Sequence, residues 1–183
     1  MGKVLIRESP EGSVVIRLTE VEAYLGPTDP ACHTFGGRRT PRVESMWGQA
    51  GYAYVYLIYG VHHCLNVVTV GGGAGEAVLL RGGLVVSGAE LVRKRRGPAP
   101  LDRNLVNGPG KLCRALALDR AADGLDFCST KKGMWIADDG FFVPTELVEK
   151  GPRVGLGDVG DAALWPLRWC FRLRRFHKSP MSS

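Results

Sequence analysis

Three apolar runs stand almost end to end in the middle of the chain: YAYVYLIYG, HHCLNVVTV and EAVLLRGGLVV. Only Gly60 and the glycine-rich turn GGGAG separate them. A parallel pair of strands needs a crossover of a dozen or more residues, so runs this close must fold back on one another. They predict an antiparallel meander, and the rest of the chain has to supply whatever covers its buried face.

The flanking sequence continues the pattern. VLIR (4–7) and SVVIRLTEVEAYL (13–25) read as a hairpin joined by the turn ESPEGS, with β-branched residues in period two over Val15 to Val21. Asp29-Pro30 and Thr40-Pro41 each pair a capping residue with a proline suited to a first helical position, which predicts short helices or turns there. Ser87 and Glu90 have the spacing of a capping box at the head of a basic helix running through Arg96. PGKLCRALALD predicts a second helix from near Pro109 that buries Leu112, Cys113 and Leu116. WIA, FFV and RVGLG read as short strands, with DDG as a turn. The expected fold is α+β: a single domain over 1–183, mainly antiparallel curved β-sheet with several short helices on one side.

At 183 residues the chain can bury a core without help from metals or disulfides. No apolar run reaches the roughly 18 residues that would span a bilayer, and MGKVLIRESPEG lacks the succession of a signal peptide. The expected location is the cytoplasm, at the nucleoid in a prokaryote. The five cysteines are scattered, with no CxxC pair, so reduced core thiols fit better than a disulfide framework or a zinc knuckle. The net charge of +6 favours a polyanionic partner. Basic residues gather at Arg93-Lys94-Arg95-Arg96, at Arg38-Arg39 with Arg42, and in RWCFRLRRFHKSP; each cluster is either a solvated face or part of a nucleic-acid surface.

Walker A, GxGxxG, HExxH and GxSxG sequences are all missing, and GGGAG lies between strands as a loose turn. No cofactor and no metal is expected. In TEVEAYLGP, Glu20, Glu22 and Tyr24 share one face of a strand, while Val21, Ala23 and Leu25 share the other and can pack in the core. A carboxylate beside a tyrosine, followed by a Gly-Pro turn and His33, is a candidate acid/base site; two exposed glutamates on an edge strand are the plainer alternative. The stretch GYAYVYLIYGVHHCLN holds four of the five tyrosines. Tyr52, Tyr54 and Tyr56 alternate on one face, whereas Tyr59 breaks the period.

Read together, VEAYLGPTDPACHTFGGRRTPR, YVYLIYGVHHCLNVV, AVLLRGG and NGPGKLCRALAL resemble the alkyladenine (3-methyladenine) DNA glycosylase family of the non-helix-hairpin-helix type. The blocks occur in the family's order, and the similarity continues through PRVGLG and WPLRW. The resemblance implies a monofunctional hydrolase that flips alkylated purines, with deaminated purines as a further candidate class, out of duplex DNA and leaves an abasic site. It implies that Glu22 activates the attacking water and that Arg81 helps to hold the water and the DNA backbone. Tyr24, His33 and Tyr56 would line the pocket for the extruded base, Asn66 would screen purine edges, and Tyr59 would be the wedge left in the duplex. Arg38, Thr40 and Met46 would contact DNA. Tyr52 and Tyr54 keep packing roles, His62 and His63 structural ones, and Lys111 is no nucleophile in the family. The implied partner is damaged duplex DNA, met by a monomer. The family usually carries a helical segment ahead of its first strand, whereas this sequence opens Met1-Gly2-Lys3, so either the start is short or an upstream initiator was missed; RWCFRLRRFHKSPMSS is more basic than the family's finish.

The chemistry is coherent with those residues. An N3- or N7-alkylated purine is cationic, so its glycosidic bond is weak, and a carboxylate base adds roughly 10²- to 10⁴-fold. Two other readings stay open at this point: a catalytically silent nucleic-acid-binding module of the same fold, and a hydrolase of free nucleosides.

Overall fold

A computed structural model describes residues 1–97 and 102–171. The C-terminal basic cluster beyond Phe171 lies outside the described residues. Eight strands form one antiparallel sheet: β1 (Val4–Ser9), β2 (Gly12–Tyr24), β3 (Ala53–Ile58), β4 (His62–Val68), β5 (Ala77–Ser87), β6 (Met134–Ala137), β7 (Val148–Gly151) and β8 (Arg168–Phe171). The main order is β3-β4-β5-β2-β1-β6, with β8 paired to the far half of β2 and β7 to β8. The expected meander is β3-β4-β5, and the expected hairpin is β1-β2, with its turn tightened to Pro10-Glu11. The fold is the expected α+β single domain, a curved antiparallel sheet with few short helices.

One face of the sheet carries the main core. Val14, Ile16 and Leu18 of β2, Val55 of β3, Leu65 of β4 and Leu80 of β5 pack there against Val92, Leu112 and Leu116. Helices α1 (Ala89–Arg96) and α2 (Pro109–Ala115) cover that face, and α2 buries Leu112 and Cys113 with Leu116 at its end, as its apolar spacing predicts. The opposite face of β3-β5 carries a second, smaller cluster of Cys32, Val43, Met46, Tyr54, Val68 and Ala77, against which Tyr24 and Tyr56 pack.

β2 changes face part of the way along. Its ladder with β5 runs Leu18↔Gly83, Glu20↔Gly82, Val21↔Leu80, leaving Thr19 and Arg81 each as one extra residue. A bulge of this kind reverses the inward-outward phase of the strand beyond it. Before it the even residues face the main core; after it Val21 packs toward that core, and Glu20, Glu22 and Tyr24 turn to the other face. Gly83 makes the close strand approach possible, since a Cβ there would run into the Arg17 carbonyl and the Ile16 side chain.

The short helices or turns expected at Asp29-Pro30 and Thr40-Pro41 are present as turns, the Asp29 carboxylate accepting from the Leu25 and Ala31 amides, with 3₁₀ turns following at Phe35–Gly37 and Glu44–Trp47. Other local expectations change. Ser87 does not cap α1, because it is still paired with Val15 in β5; Gly88, at φ 79°, is the N-cap. A Cβ at Gly88 would press on the Ser13 carbonyl, so the sheet fixes this corner before a side-chain cap can form. FFV and RVGLG are not strands. Phe141 lies over Arg17, and the loop through Arg153 sends that arginine into the interior; Val148–Gly151 and Arg168–Phe171 pair instead. Leu25, expected in the core, is exposed.

Candidate active site

The phase reversal in β2 puts a glutamate into the protein. Glu22 is 0% exposed, on a central strand flanked by β5 and β8, which removes the alternative of an exposed edge glutamate. An isolated buried carboxylate is costly, and this one is surrounded by donors. Its Oε2 accepts from the Tyr24 hydroxyl at 3.0 Å, and its Oε1 accepts from the Val154 amide at 2.7 Å. The Arg81 guanidinium lies 3.3 Å from Oε1. Arg81, the extra residue of the β5 bulge, also holds Glu20 at 3.1 Å and donates to the Val154 carbonyl at 3.3 Å. Arg168 binds the same Glu20 carboxylate at 3.1 Å, so Glu20 anchors two arginines while Glu22 lies buried behind Tyr24 and Arg81.

Burial, with the neighbouring Glu22 charge adding to it, pushes the Tyr24 phenol well above its ordinary range, so Tyr24 is a fixed donor to Glu22. Tyr56 is pushed up in the same way, mainly by burial. His33 moves down from the ordinary imidazole range: burial is the larger cause, and the Arg42 and Arg38 cations add to it. Its Nδ1 is 2.7 Å from the Tyr54 hydroxyl, and its ring meets the Tyr56 ring edge-on at 4.6 Å between centroids. Tyr54, assigned to packing, is indeed buried, and it also orients His33.

Two cavities meet here. The first, about 250 Å³, is lined by Tyr24, His33, Tyr56, Asn66 and Met46, with Arg38 among its walls. The second, about 540 Å³, shares Tyr24 and Tyr56 and takes in Arg81, Val154, Lys111 and Arg114. The structure thus brings together Glu22, Tyr24, His33, Tyr56, Asn66 and Arg81. Asn66 is buried, its amide donating to the Tyr54 carbonyl at 3.0 Å. Met46 is 2% exposed and belongs to the pocket wall, while Thr40 lies exposed at a turn.

Tyr59 lies outside the smaller cavity, on the rim of the larger one. It is 80% exposed at the tip of the β3-β4 hairpin, with φ 53° followed by Gly60 at φ 69° and the Val61 amide bonded to the Ile58 carbonyl. Two successive positive φ values make the tight hairpin turn that matches strand twist, and a tyrosine is an unusual occupant of the first. The break in the tyrosine period is this turn. A groove lies on each side of it: Lys111, Arg114 and Arg96 line one, and Arg42 and Arg120 line the other. Of these, Arg120 is paired with Asp123 at 3.3 Å; elsewhere Arg93 pairs with Asp102, Lys94 and Arg95 with Glu11, and Arg39 with Glu44.

Sequence reasoning missed three contributors: the Val154 peptide, which touches both Glu22 and Arg81; Arg168; and a fully buried pair, Arg153 and Asp29. A backbone amide leaves no mark in a sequence, and PRVGLG reads as a short strand that shares the family's similarity. Among the described residues no cluster of metal-ligating side chains occurs, and no helix is long and apolar enough to cross a membrane.

Comparisons with known proteins identify the family. The family model described as Methylpurine-DNA glycosylase (MPG) matches residues 1–175. A "Putative 3-methyladenine DNA glycosylase" of Streptomyces avermitilis is 45% identical over 169 residues, covering 92% of this chain and 78% of that protein. Proteins of the same name from Methanocella arvoryzae and Bdellovibrio bacteriovorus are 42% and 41% identical, covering 92% and 94% of this chain and 82% and 86% of their own lengths. The chain belongs to the methylpurine-DNA glycosylase family, DNA repair hydrolases that cleave N-glycosyl bonds.

Proposed function

We propose that this glycosylase turns an alkylated purine such as 3-methyladenine out of duplex DNA into the smaller cavity and releases it with a water activated by Glu22. The observation that carries the proposal is the Glu22 carboxylate: fully buried, held by a hydroxyl, an amide and a guanidinium, and bonded to Tyr24, whose ring lines both cavities. A buried charge so well supplied with donors is positioned for a task the fold itself does not need.

The chain's residues divide the work. Extrusion costs a few kcal/mol, and stacking on Tyr24, His33 and Tyr56 returns about 1–3 kcal/mol per base. Electron-rich rings favour a cationic base. A charged imidazole would repel it, and burial with Arg42 and Arg38 nearby keeps His33 neutral at neutral pH. As the bond from C1′ to the ring nitrogen breaks, the electron pair leaves with the base and positive charge builds on the sugar. The Glu22 carboxylate faces that charge and takes a proton from the water that adds to C1′, leaving an abasic site. Arg81 fixes the carboxylate and the Val154 carbonyl together. Asn66, tied to the Tyr54 carbonyl, presents a rigid amide against which an exocyclic amino group in the wrong place meets an unpaired donor.

Tyr59 is the plug for the gap in the duplex. Its exposure, its turn and the cationic grooves on both sides support that role, since phosphates flank an extruded nucleotide on either side. The protein acts as a monomer.

The test is a duplex carrying a single 3-methyladenine, hypoxanthine or 1,N6-ethenoadenine, incubated with protein and then treated with alkali. Strand breaks at the lesion, with no covalent adduct trapped by borohydride, are expected for at least the alkylated base. Intact strands with every lesion, despite retained binding, would leave the silent binding module as the better reading.

A further inference from the structure

Outside the pocket, the Arg153 guanidinium makes four hydrogen bonds in the interior, and no role assigned so far explains it. Its side chain is fully buried, as is that of its partner Asp29. Nη2 donates to Asp29 Oδ1 at 2.8 Å, and Nη1 donates to Oδ2 of the same carboxylate and to the Ala23 carbonyl at 3.0 Å. Nη2 also reaches the Ala162 carbonyl at 3.4 Å. The guanidinium lies over the Tyr24 ring, 4.8 Å from its centre. Burial pushes the Asp29 carboxyl up, yet the Arg153 bonds and the Leu25 and Ala31 amides outweigh it and hold the group below the usual carboxylate range.

Replacing a buried ion pair by apolar side chains is often neutral or stabilising, so stability alone is a weak reason for this one. Its location gives a better reason. Residue 153 is joined through one peptide to Val154, whose amide binds Glu22 and whose carbonyl receives Arg81. The residue between the Arg153-bonded Ala23 carbonyl and the pocket is Tyr24, the other donor to Glu22. One guanidinium therefore ties together, at a single point, β2 next to the catalytic carboxylate, the loop that supplies its amide donor, and the ring that supplies its hydroxyl donor.

Resting on the reading of Glu22 given above, we propose that Arg153, clamped by Asp29, is a positioning residue for base release: it fixes the Tyr24 hydroxyl and the Val154 amide on Glu22. It does not touch substrate. Its loss leaves lesion recognition in place and loosens the carboxylate, and misplacement of that order costs on the order of 10²-fold in rate.

The experiment compares wild type, Arg153→Lys, Arg153→Met and Asp29→Asn, each also in a Glu22→Gln background. Three quantities are measured: folded fraction by thermal denaturation, affinity for a duplex with a tetrahydrofuran abasic-site analogue, and single-turnover release of 3-methyladenine or hypoxanthine per folded molecule. Arg153→Met and Asp29→Asn are expected to bind the analogue within a few-fold of wild type and to release base about 10²-fold more slowly. Arg153→Lys, which keeps the charge but not the fork, should fall between them and wild type and serves if the other two do not fold. In the Glu22→Gln background the same substitutions should slow the residual rate little, because they act through Glu22. Unchanged rate per folded molecule in Arg153→Lys and Arg153→Met, or full additivity with Glu22→Gln, overturns the assignment. A wild type that releases no base removes the proposed function and this inference with it, an outcome distinct from a wild type that is active with variants that match it.

Discussion

The two halves of β2 are one continuous strand with opposite contents. In the first half Val14, Ile16 and Leu18 are buried against helices and neighbouring strands, all apolar. In the second, Glu22 is buried as completely, among a hydroxyl, an amide and a guanidinium. What separates them is one extra residue in each of two paired strands, Thr19 and Arg81. A bulge is how a single strand can serve the core at one end and the proposed reaction at the other. The bulge also delivers Arg81, the cation that the buried carboxylate requires.

The comparison can be broken most severely at its apolar end. Ile16→Glu sets a carboxylate where Val14, Leu18 and Leu80 are its surroundings and no donor waits. The expected loss is several kcal/mol, a large part of the about 5–15 kcal/mol that holds a domain together, and urea denaturation should find it largely unfolded. If Ile16→Glu folds as well as wild type, burial at the two ends of β2 is not different in kind.

Gly83→Val sharpens the same comparison at the bulge. The added side chain meets the Arg17 carbonyl and Ile16, so the strands must part, at a cost of about 1–3 kcal/mol. Stability and base release should both fall, since the phase of Glu22 depends on that crossing. Loss of stability with an unaltered rate per folded molecule would uncouple the bulge from the site.

In the pocket, Tyr56→Ala removes one wall and should weaken binding of an extruded base by about 1–3 kcal/mol per folded molecule, alongside a loss of stability from the packing it gives up. Fluorescence titration with an ethenoadenine duplex reads this directly. Equal affinity would mean that the base stacks elsewhere.

The smallest effect is one of pH. Because the His33 pKa is lowered in the folded protein, the unfolded chain, with an ordinary value of about 6.5, takes up a proton that the native state resists. The contribution of neutral His33 is complete above about 6.5 and declines as pH falls below that, levelling once the folded imidazole itself protonates. His33→Gln should flatten this part of the stability profile between neutral and mildly acidic pH. A variant with the slope of wild type would assign the effect to another group.

The strands, the meander and the second helix were legible because they rest on short-range pattern: runs with no room to cross over, and apolar spacing on one turn of helix. Glu20, Glu22 and Tyr24 were read on one face correctly because they lie beyond the bulge and keep period two among themselves. The reversal at Thr19 was not legible, since it depends on Gly82 and Gly83 across the ladder. Ser87 and Glu90 have the spacing of a capping box, yet pairing with Val15 keeps Ser87 in the sheet. Asp29 had the look of a helix cap because its partner, Arg153, lies 124 residues away in a stretch that reads as a strand. The break at Tyr59 was visible, but only the turn explains it: a tyrosine held at positive φ and pushed out into solvent.

The most direct measurement of whether the buried carboxylate performs the chemistry is the Glu22→Gln variant, assayed for lesion binding and for base release on the same duplex. The amide has the same shape and still accepts from the Val154 N–H, so the variant should fold and bind as wild type does. It should release base about 10²- to 10⁴-fold more slowly, because it cannot take the proton from water. Release at the wild-type rate would contradict the account and leave Glu22 as a buried structural charge.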